Sequence, residues 1–180
     1  DGTTGTVLSS RAALLQRDGD IVDTDGTSAL NMAGNTAGNY YISIRHRNHL
    51  AVRSLNNIAL TKTVTTSYNF TDNLAKAFVG AAPNNAMATV NTNIFGMWAG
   101  NANNDNIVKM TGLGAGNNDY LQLLNTLGSS TNSIPNTYSK QDLNMDGTVK
   151  MTGLSASNND YLKLINILGS SINTISQPVF

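Results

Sequence analysis

Residues 101–130, "NANNDNIVKMTGLGAGNNDYLQLLNTLGSS", recur at 142–171 as "DLNMDGTVKMTGLSASNNDYLKLINILGSS", forty-one positions on and without a gap. The segments "VKMTGL", "NNDYL" and "LGSS" are identical in the two copies. Such a duplication limits the fold strongly, because one local structure has to be adopted twice and the two copies must bury matching faces. Two copies are too few for a solenoid, so they are expected to pack on each other as a pseudo-symmetric pair, each supplying a loop and a helix.

The second half of each copy reads as a helix. In "NNDYLKLINILG", Asn158 or Asn159 serves as N-cap, Asp160 sits in the first turn and Gly169 follows the last turn. Tyr161, Leu164, Ile165 and Leu168 fall on one apolar stripe, as do Tyr120, Leu123, Leu124 and Leu127 in the first copy.

The first half of each copy carries the acids. All 11 acidic residues of the 180-residue chain are Asp, in a sequence only 12% charged, and "DLNMDGTVK" places Asp142, Asn144 and Asp146 at alternate positions before Gly147. Oxygens at positions 1, 3 and 5 converge when the chain wraps round a cation, and Gly at 6 turns the carbonyl of residue 7 inward. That pattern resembles the DxNxDGxV start of EF-hand and dockerin-type calcium loops. The resemblance implies Ca²⁺ as cofactor, held by Asp142, Asn144, Asp146 and the carbonyl of Thr148, with Val149 tying the loop to the core. It departs from the family at position 12, where an acid is expected and Gly153 stands. Asn159 and Asp160, at the start of the helix, are expected to close the site instead. The first copy offers Asn101, Asn103, Asp105 and the carbonyl of Ile107, closed by Asn118 and Asp119, with Asn106 replacing glycine at position 6. With more carboxylates, the second site is expected to bind more tightly. Asx-rich loops also form turns without metal, and that reading stands beside the calcium one. Asp18, Asp20, Asp23 and Asp25 in "DGDIVDTDG" are candidates for a third metal, although a solvated hairpin turn is preferred there.

The first third is rich in strand signals, "TVLSSRAALLQ", "SALNMAG", "NYYISIRHR" and "IALTKTVTTSYNF", separated by turn residues. In "NYYISIRHR", Tyr40, Ile42 and Ile44 alternate with Tyr41, Ser43 and Arg45, the period of a half-buried strand. The stretch over roughly residues 5–70 resembles a bacterial immunoglobulin-like surface domain, which implies an antiparallel β-sandwich; four strands instead of about seven make it strand-deficient. The expected fold is therefore mainly β plus α. An Ig-like sandwich over 1–70 leads through a connector at 71–100 to tandem dockerin-like repeats over 101–180. Within the connector, "TDNLAKAFVGA" reads as a short helix opened by Thr71 or Asp72, and Trp98 as a packing anchor between the halves.

Several functions are argued against. With 11 Lys and Arg balancing 11 Asp, the chain lacks the cationic surface that nucleic acid requires. The absence of Cys rules out disulfides and thiolate metal sites. No run of about 18 apolar residues supplies a membrane span. His46 and His49 in "RHRNHLAVR" lack zincin spacing and form a basic patch with Arg45, Arg47 and Arg53, by default strand surface. No nucleophile elbow or phosphate loop is present, so no enzyme is expected. The chain starts without Met or a signal peptide and reads as a processed or partial piece.

Zero net charge on an Asn-, Thr- and Ser-rich surface favours self-association. The leading expectation is an extracellular structural protein, a homopolymeric subunit of a bacterial surface filament. It resembles donor-strand-assembled pilus subunits, in which β-strand complementation joins neighbours, and calcium would stabilise it. The alternatives are a dockerin-like calcium-dependent attachment module of a larger secreted adhesin or enzyme, and a glycan-binding domain using Tyr40, Tyr41 and Arg45.

Overall fold

The computed structural model describes residues 6–80 and 84–177. It is a mixed α/β fold: antiparallel two-stranded sheets and two helices. The strands are β1 (Leu14–Leu15), β2 (Ile21–Val22), β3 (Gly38–Tyr40), β4 (Ser43–His46), β5 (His49–Arg53), β6 (Ile58–Leu60), β7 (Ala88–Asn91), β8 (Ile94–Gly96) and β9 (Ile107–Lys109). Helix α1 (Asp119–Leu127), β10 (Ser133–Ile134), β11 (Val149–Lys150), α2 (Asp160–Leu168) and β12 (Thr174–Ser176) follow.

The chain divides into two compact units. One takes the residues up to Ile42 together with Asn56–Asn69; the other takes Ser43–Leu55 and the chain from Phe70 onward. The hairpin of β4 and β5 thus groups with the duplicated region, although sequence continuity assigned it to the N-terminal third.

In the first unit β1 pairs with β2 and β3 with β6. Among the described residues no sheet is wider than two strands, and none closes into a sandwich. "TVLSSRAALLQ" contributes only Leu14–Leu15 to a strand, and "SALNMAG" contributes none. Residues 6–20 are exposed throughout, with Val7 and Leu8 more than half exposed. Strand propensity without a facing layer to bury against does not by itself extend a sheet.

In the second unit β4 keeps the expected alternation, Ile44 and His46 half-buried between exposed Ser43 and Arg45. The expected helix after Thr71 is reduced to a single 3₁₀ turn, Leu74–Lys76, capped by the Asn73 side chain. Residues on either side of its end are drawn into pairing with β5. Leu55 N–H donates to the Lys76 carbonyl at 2.8 Å, and Phe78 N–H to that of Arg53 at 2.9 Å. Trp98 packs on the core of this same unit, its Nε1–H bound to the Asn85 carbonyl at 2.8 Å.

The duplicated region is built reciprocally. Strand β9 of the first copy pairs with β12, which follows the helix of the second; β11 of the second pairs with β10, which follows the helix of the first. The registers correspond: Val108 faces Ile175 and Val149 faces Ile134, while Lys109 faces Thr174 and Lys150 faces Ser133. Neither copy completes its own strand pair. Both helices contribute to one core, where Leu123, Leu127, Leu164 and Leu168 meet Ala102, Val108, Leu143, Val149, Ile175 and Leu50 of β5. Tyr120 and Tyr161 meet edge to face at 5.7 Å on its border. The caps are as the sequence requires. Asn118 and Asn159 accept the N–H of Leu121 and Leu162, and Gly128 and Gly169 stop the helices in the left-handed region at φ 71° and 70°.

Because the core is shared, truncating either helix should damage the unit equally. Leu123→Ala and Leu164→Ala are each expected to cost about 3–5 kcal/mol in denaturant unfolding, in a single transition. Leu154→Ala, at a fully exposed position, is expected to stay within about 0.5 kcal/mol.

Candidate metal centre

The two Asx loops share one hydrogen-bond scheme. In the second copy Asp142 Oδ1 and Asn144 Oδ1 both accept the Asp146 N–H at 3.1 Å, and Asp142 Oδ2 accepts that of Gly147 at 3.1 Å. Asp146 Oδ1 accepts the Thr148 N–H at 2.9 Å, and Asn144 Nδ2–H reaches Asp146 Oδ2 at 3.2 Å. In the first copy Asn101 Oδ1 and Asn103 Oδ1 accept the Asp105 N–H at 3.0 and 3.2 Å. Asp105 Oδ1 accepts that of Ile107 at 2.9 Å, and Asn103 Nδ2–H reaches Asp105 Oδ2 at 3.0 Å. Gly147 lies at φ 82° and Asn106 at φ 68°, so position 6 is left-handed in both loops. The residues at positions 1, 3 and 5 are thus brought together by wrapping.

The structure places the expected closing residues in a different task. Asn159 donates its Nδ2–H to the carbonyls of Met151 and Gly153 at 3.0 and 3.1 Å while its Oδ1 caps α2. Asn118 does the same with Met110 and Gly112. Asp160 is fully buried. Its Oδ1 accepts the N–H of Leu143 at 2.6 Å and of Asn144 at 3.2 Å, and its Oδ2 that of Lys150 at 2.8 Å. Asp119 repeats this with Ala102, Asn103 and Lys109 at 2.7, 3.3 and 2.8 Å. Each carboxylate therefore latches both ends of its loop to the first turn of its helix. Among the described residues no three Asp, His, Cys or Glu side chains gather closely enough to hold a metal. The oxygens facing one another in the loops are those of Asp142, Asn144 and Asp146, and of Asn101, Asn103 and Asp105. They are hard donors, fitting a hard cation of the calcium type, with two carboxylates in the second loop and one in the first.

Position 12 admits only glycine. Gly153 lies at φ 126°, and a Cβ there would come within 2.7 Å of Asn158 Oδ1 and 2.9 Å of the Asn158 carbonyl oxygen. Gly112 is in the same position against Asn117. The closed turn from 153 to 158 thus replaces the acid of the ordinary loop, and the carboxylate is deferred to the helix start.

Residues to which the sequence assigns no part in the loops hold them together. The turn between β4 and β5 carries Asn48, fully buried. Its carbonyl accepts the N–H of Gly100 and of Asn101 at 3.1 Å, and its Nδ2–H donates to the Asp142 carbonyl at 2.6 Å. One residue thereby contacts position 1 of both loops. Arg47 stacks 4.0 Å from the Tyr138 ring and reaches Asp142 Oδ2 at 3.3 Å. Gln141 Nε2–H bridges to the Ala102 carbonyl at 2.8 Å. A turn residue ninety positions away leaves no local signal; only the run of polar residues in "RHRNH" marks the place.

The N-terminal acids are used otherwise. Asp23 accepts both a backbone N–H of Thr24 and the Arg11 guanidinium at 2.8 Å, which hold its carboxyl below the usual range. Asp25 binds the hydroxyl and N–H of Ser28 and the N–H of Thr27, and is lowered to about 2. Asp18 accepts the N–H of Asp20 at 3.1 Å. These are the bonds of a turn and an ion pair; the sequence alone reads as a solvated hairpin turn, whereas Asp23 is buried against Arg11.

Burial pushes Asp119 up to about 7 and Asp160 up to about 6, against the pull of three amides each. A folded value above the unfolded 3.8 means that folding favours the protonated form. That contribution is complete below about pH 4 and is lost as the pH rises through 6 to 7. His49, lowered to about 3 by burial, acts oppositely: its contribution is complete above pH 6.5 and is lost towards acid. In chelator, the two aspartates together outweigh His49, so wild-type stability is expected to rise as the pH falls from 7 to 4, and to rise more steeply in His49→Gln. Carboxyl ¹³C shifts should show Asp119 titrating at about pH 7 and Asp160 at about pH 6.

No family profile, curated protein or solved structure matches the chain.

Proposed function

We propose that the duplicated region is a calcium-binding, dockerin-like structural module of a secreted bacterial surface protein. The observation carrying this reading is the repetition, in two loops of different sequence, of one arrangement of oxygens at positions 1, 3 and 5 around a left-handed residue 6. The copies differ in sequence within the loops, yet both keep the oxygens at these positions, down to the side-chain bond between 3 and 5. Calcium would be held by Asp142, Asn144, Asp146 and the carbonyl of Thr148, and by Asn101, Asn103, Asp105 and the carbonyl of Ile107, with water completing the shell. Asp119 and Asp160 shape the loops rather than ligate. The ion's role is structural: it neutralises the loop carboxylates and rigidifies a core that both copies share.

Calcium titration of the chelated chain should show the second loop binding more tightly, since it has one more carboxylate. At a hundredfold excess over Kd each site should add about 2.7 kcal/mol of stability. Asp146→Ala should weaken the tighter site by at least about tenfold and Asp105→Ala only the weaker. Unchanged heats in both variants would remove the calcium reading.

One observation favours a wider reading, assembly of the chain into a filament by strand addition. Residues 6–13 carry no strand, and Val7 and Leu8 are exposed in them. An exposed segment with no strand pairing of its own is what an incomplete Ig-like sandwich in a neighbouring copy would accept as a donor strand. The intact chain should then form polymers under negative-stain imaging, and removing residues 1–15 should abolish them while leaving the calcium heats intact. Polymers that persist without the arm would exclude it as donor.

A further inference from the structure

The chain has two histidines and no cysteine, and the turn between β4 and β5 brings both imidazoles together. His46 and His49 are paired across the hairpin, their rings 4.6 Å apart at 79°. His46 Nδ1 and His49 Nδ1 lie 2.8 Å apart, and Asn48 Oδ1 lies 2.8 Å from His49 Nδ1. Asn48 is fixed in this orientation because its Nδ2–H is spent on the Asp142 carbonyl at 2.6 Å. Its Oδ1 therefore only accepts, so the proton of this contact is on His49 Nδ1, and His46 Nδ1 presents a lone pair. Three electron-rich atoms thus converge on a single proton.

We propose that this hairpin turn is a binding site for a tetragonal late transition-metal ion, Cu²⁺ in particular, with His46 Nδ1 and His49 Nδ1 as cis ligands and Asn48 Oδ1 beside them. Metal–imidazole bonds of about 2.0–2.1 Å across nitrogens 2.8 Å apart subtend about 90°. That is the cis angle of a square-planar or tetragonal ion; a tetrahedral Zn²⁺ needs the nitrogens about 3.3 Å apart. On binding, the His49 proton moves from Nδ1 to Nε2, so both rings ligate in their neutral form and no proton is lost. Burial lowers the proton affinity of both rings, most of all that of His49, so the lone pairs are available at neutral pH. The neighbouring charges of Arg47 and Lys163 oppose a cation. Arg47 is partly neutralised by Asp142 and turned onto Tyr138. The donors differ from those of the calcium reading, imidazole nitrogens here and oxygens in the loops, although Asn48 and Arg47 join the turn to Asp142.

The experiment is one equivalent of Cu²⁺ added to the intact chain, read by electron paramagnetic resonance and by isothermal titration. The expected result is an axial spectrum with superhyperfine coupling to two nitrogens, and a loss of affinity of at least about tenfold in His46→Gln and in His49→Gln. The spectrum of the unaltered chain stands even if the His49 variant folds poorly. Absence of binding, a spectrum with oxygen ligands alone, or an unchanged affinity in His46→Gln would each overturn the assignment.

Discussion

A carboxylate removed from water is costly unless its lone pairs are met, and the duplicated region is organised around two such groups. Asp119 and Asp160 are fully buried and receive three backbone N–H bonds each. Each sits at the first position of a helix, where the N-terminal dipole favours a negative charge. Because the amides come from both ends of the preceding loop, one side chain fixes the loop's span, the direction of the following strand and the start of the helix. The positions of the Asx oxygens follow from that span.

What the latch does within a copy, strand exchange does between copies. Each loop strand finds its partner after the other copy's helix: Val108 is buried opposite Ile175, and Val149 pairs with Ile134, which itself stays exposed. The hairpin turn adds a third tie, with Asn48 bonded to position 1 of both loops. Loop shape, core and hairpin are therefore one cooperative structure.

The helices were legible in the sequence because their determinants are local: a capping Asn, an apolar stripe and a terminal Gly. Of the Asx loops, the wrapping was legible and the closure was not. Asp160 is legible as the next carboxylate, yet nothing in a one-dimensional pattern tells an ion ligand from an acceptor of three amides. Gly153 looked like a missing acid, and only the approach of Asn158 shows why no side chain fits there. The N-terminal third misled for the opposite reason. Its strand propensities are real, but pairing is decided by what faces each strand, and residues 6–13 face solvent. Strand β4 is legible within "NYYISIRHR", but β5 lies outside the strand runs read from the sequence, and the hairpin's place in the second unit depends on Asn48 and Arg47, whose partners are distant in sequence.

The most direct test of the latch is amide hydrogen exchange of Asp160→Ala in chelator. The account predicts that the N–H groups of Leu143, Asn144 and Lys150 lose their protection while those of Ala102, Asn103 and Lys109, held by Asp119, keep most of theirs. Protection of Leu143 and Lys150 at wild-type levels in that variant would contradict it.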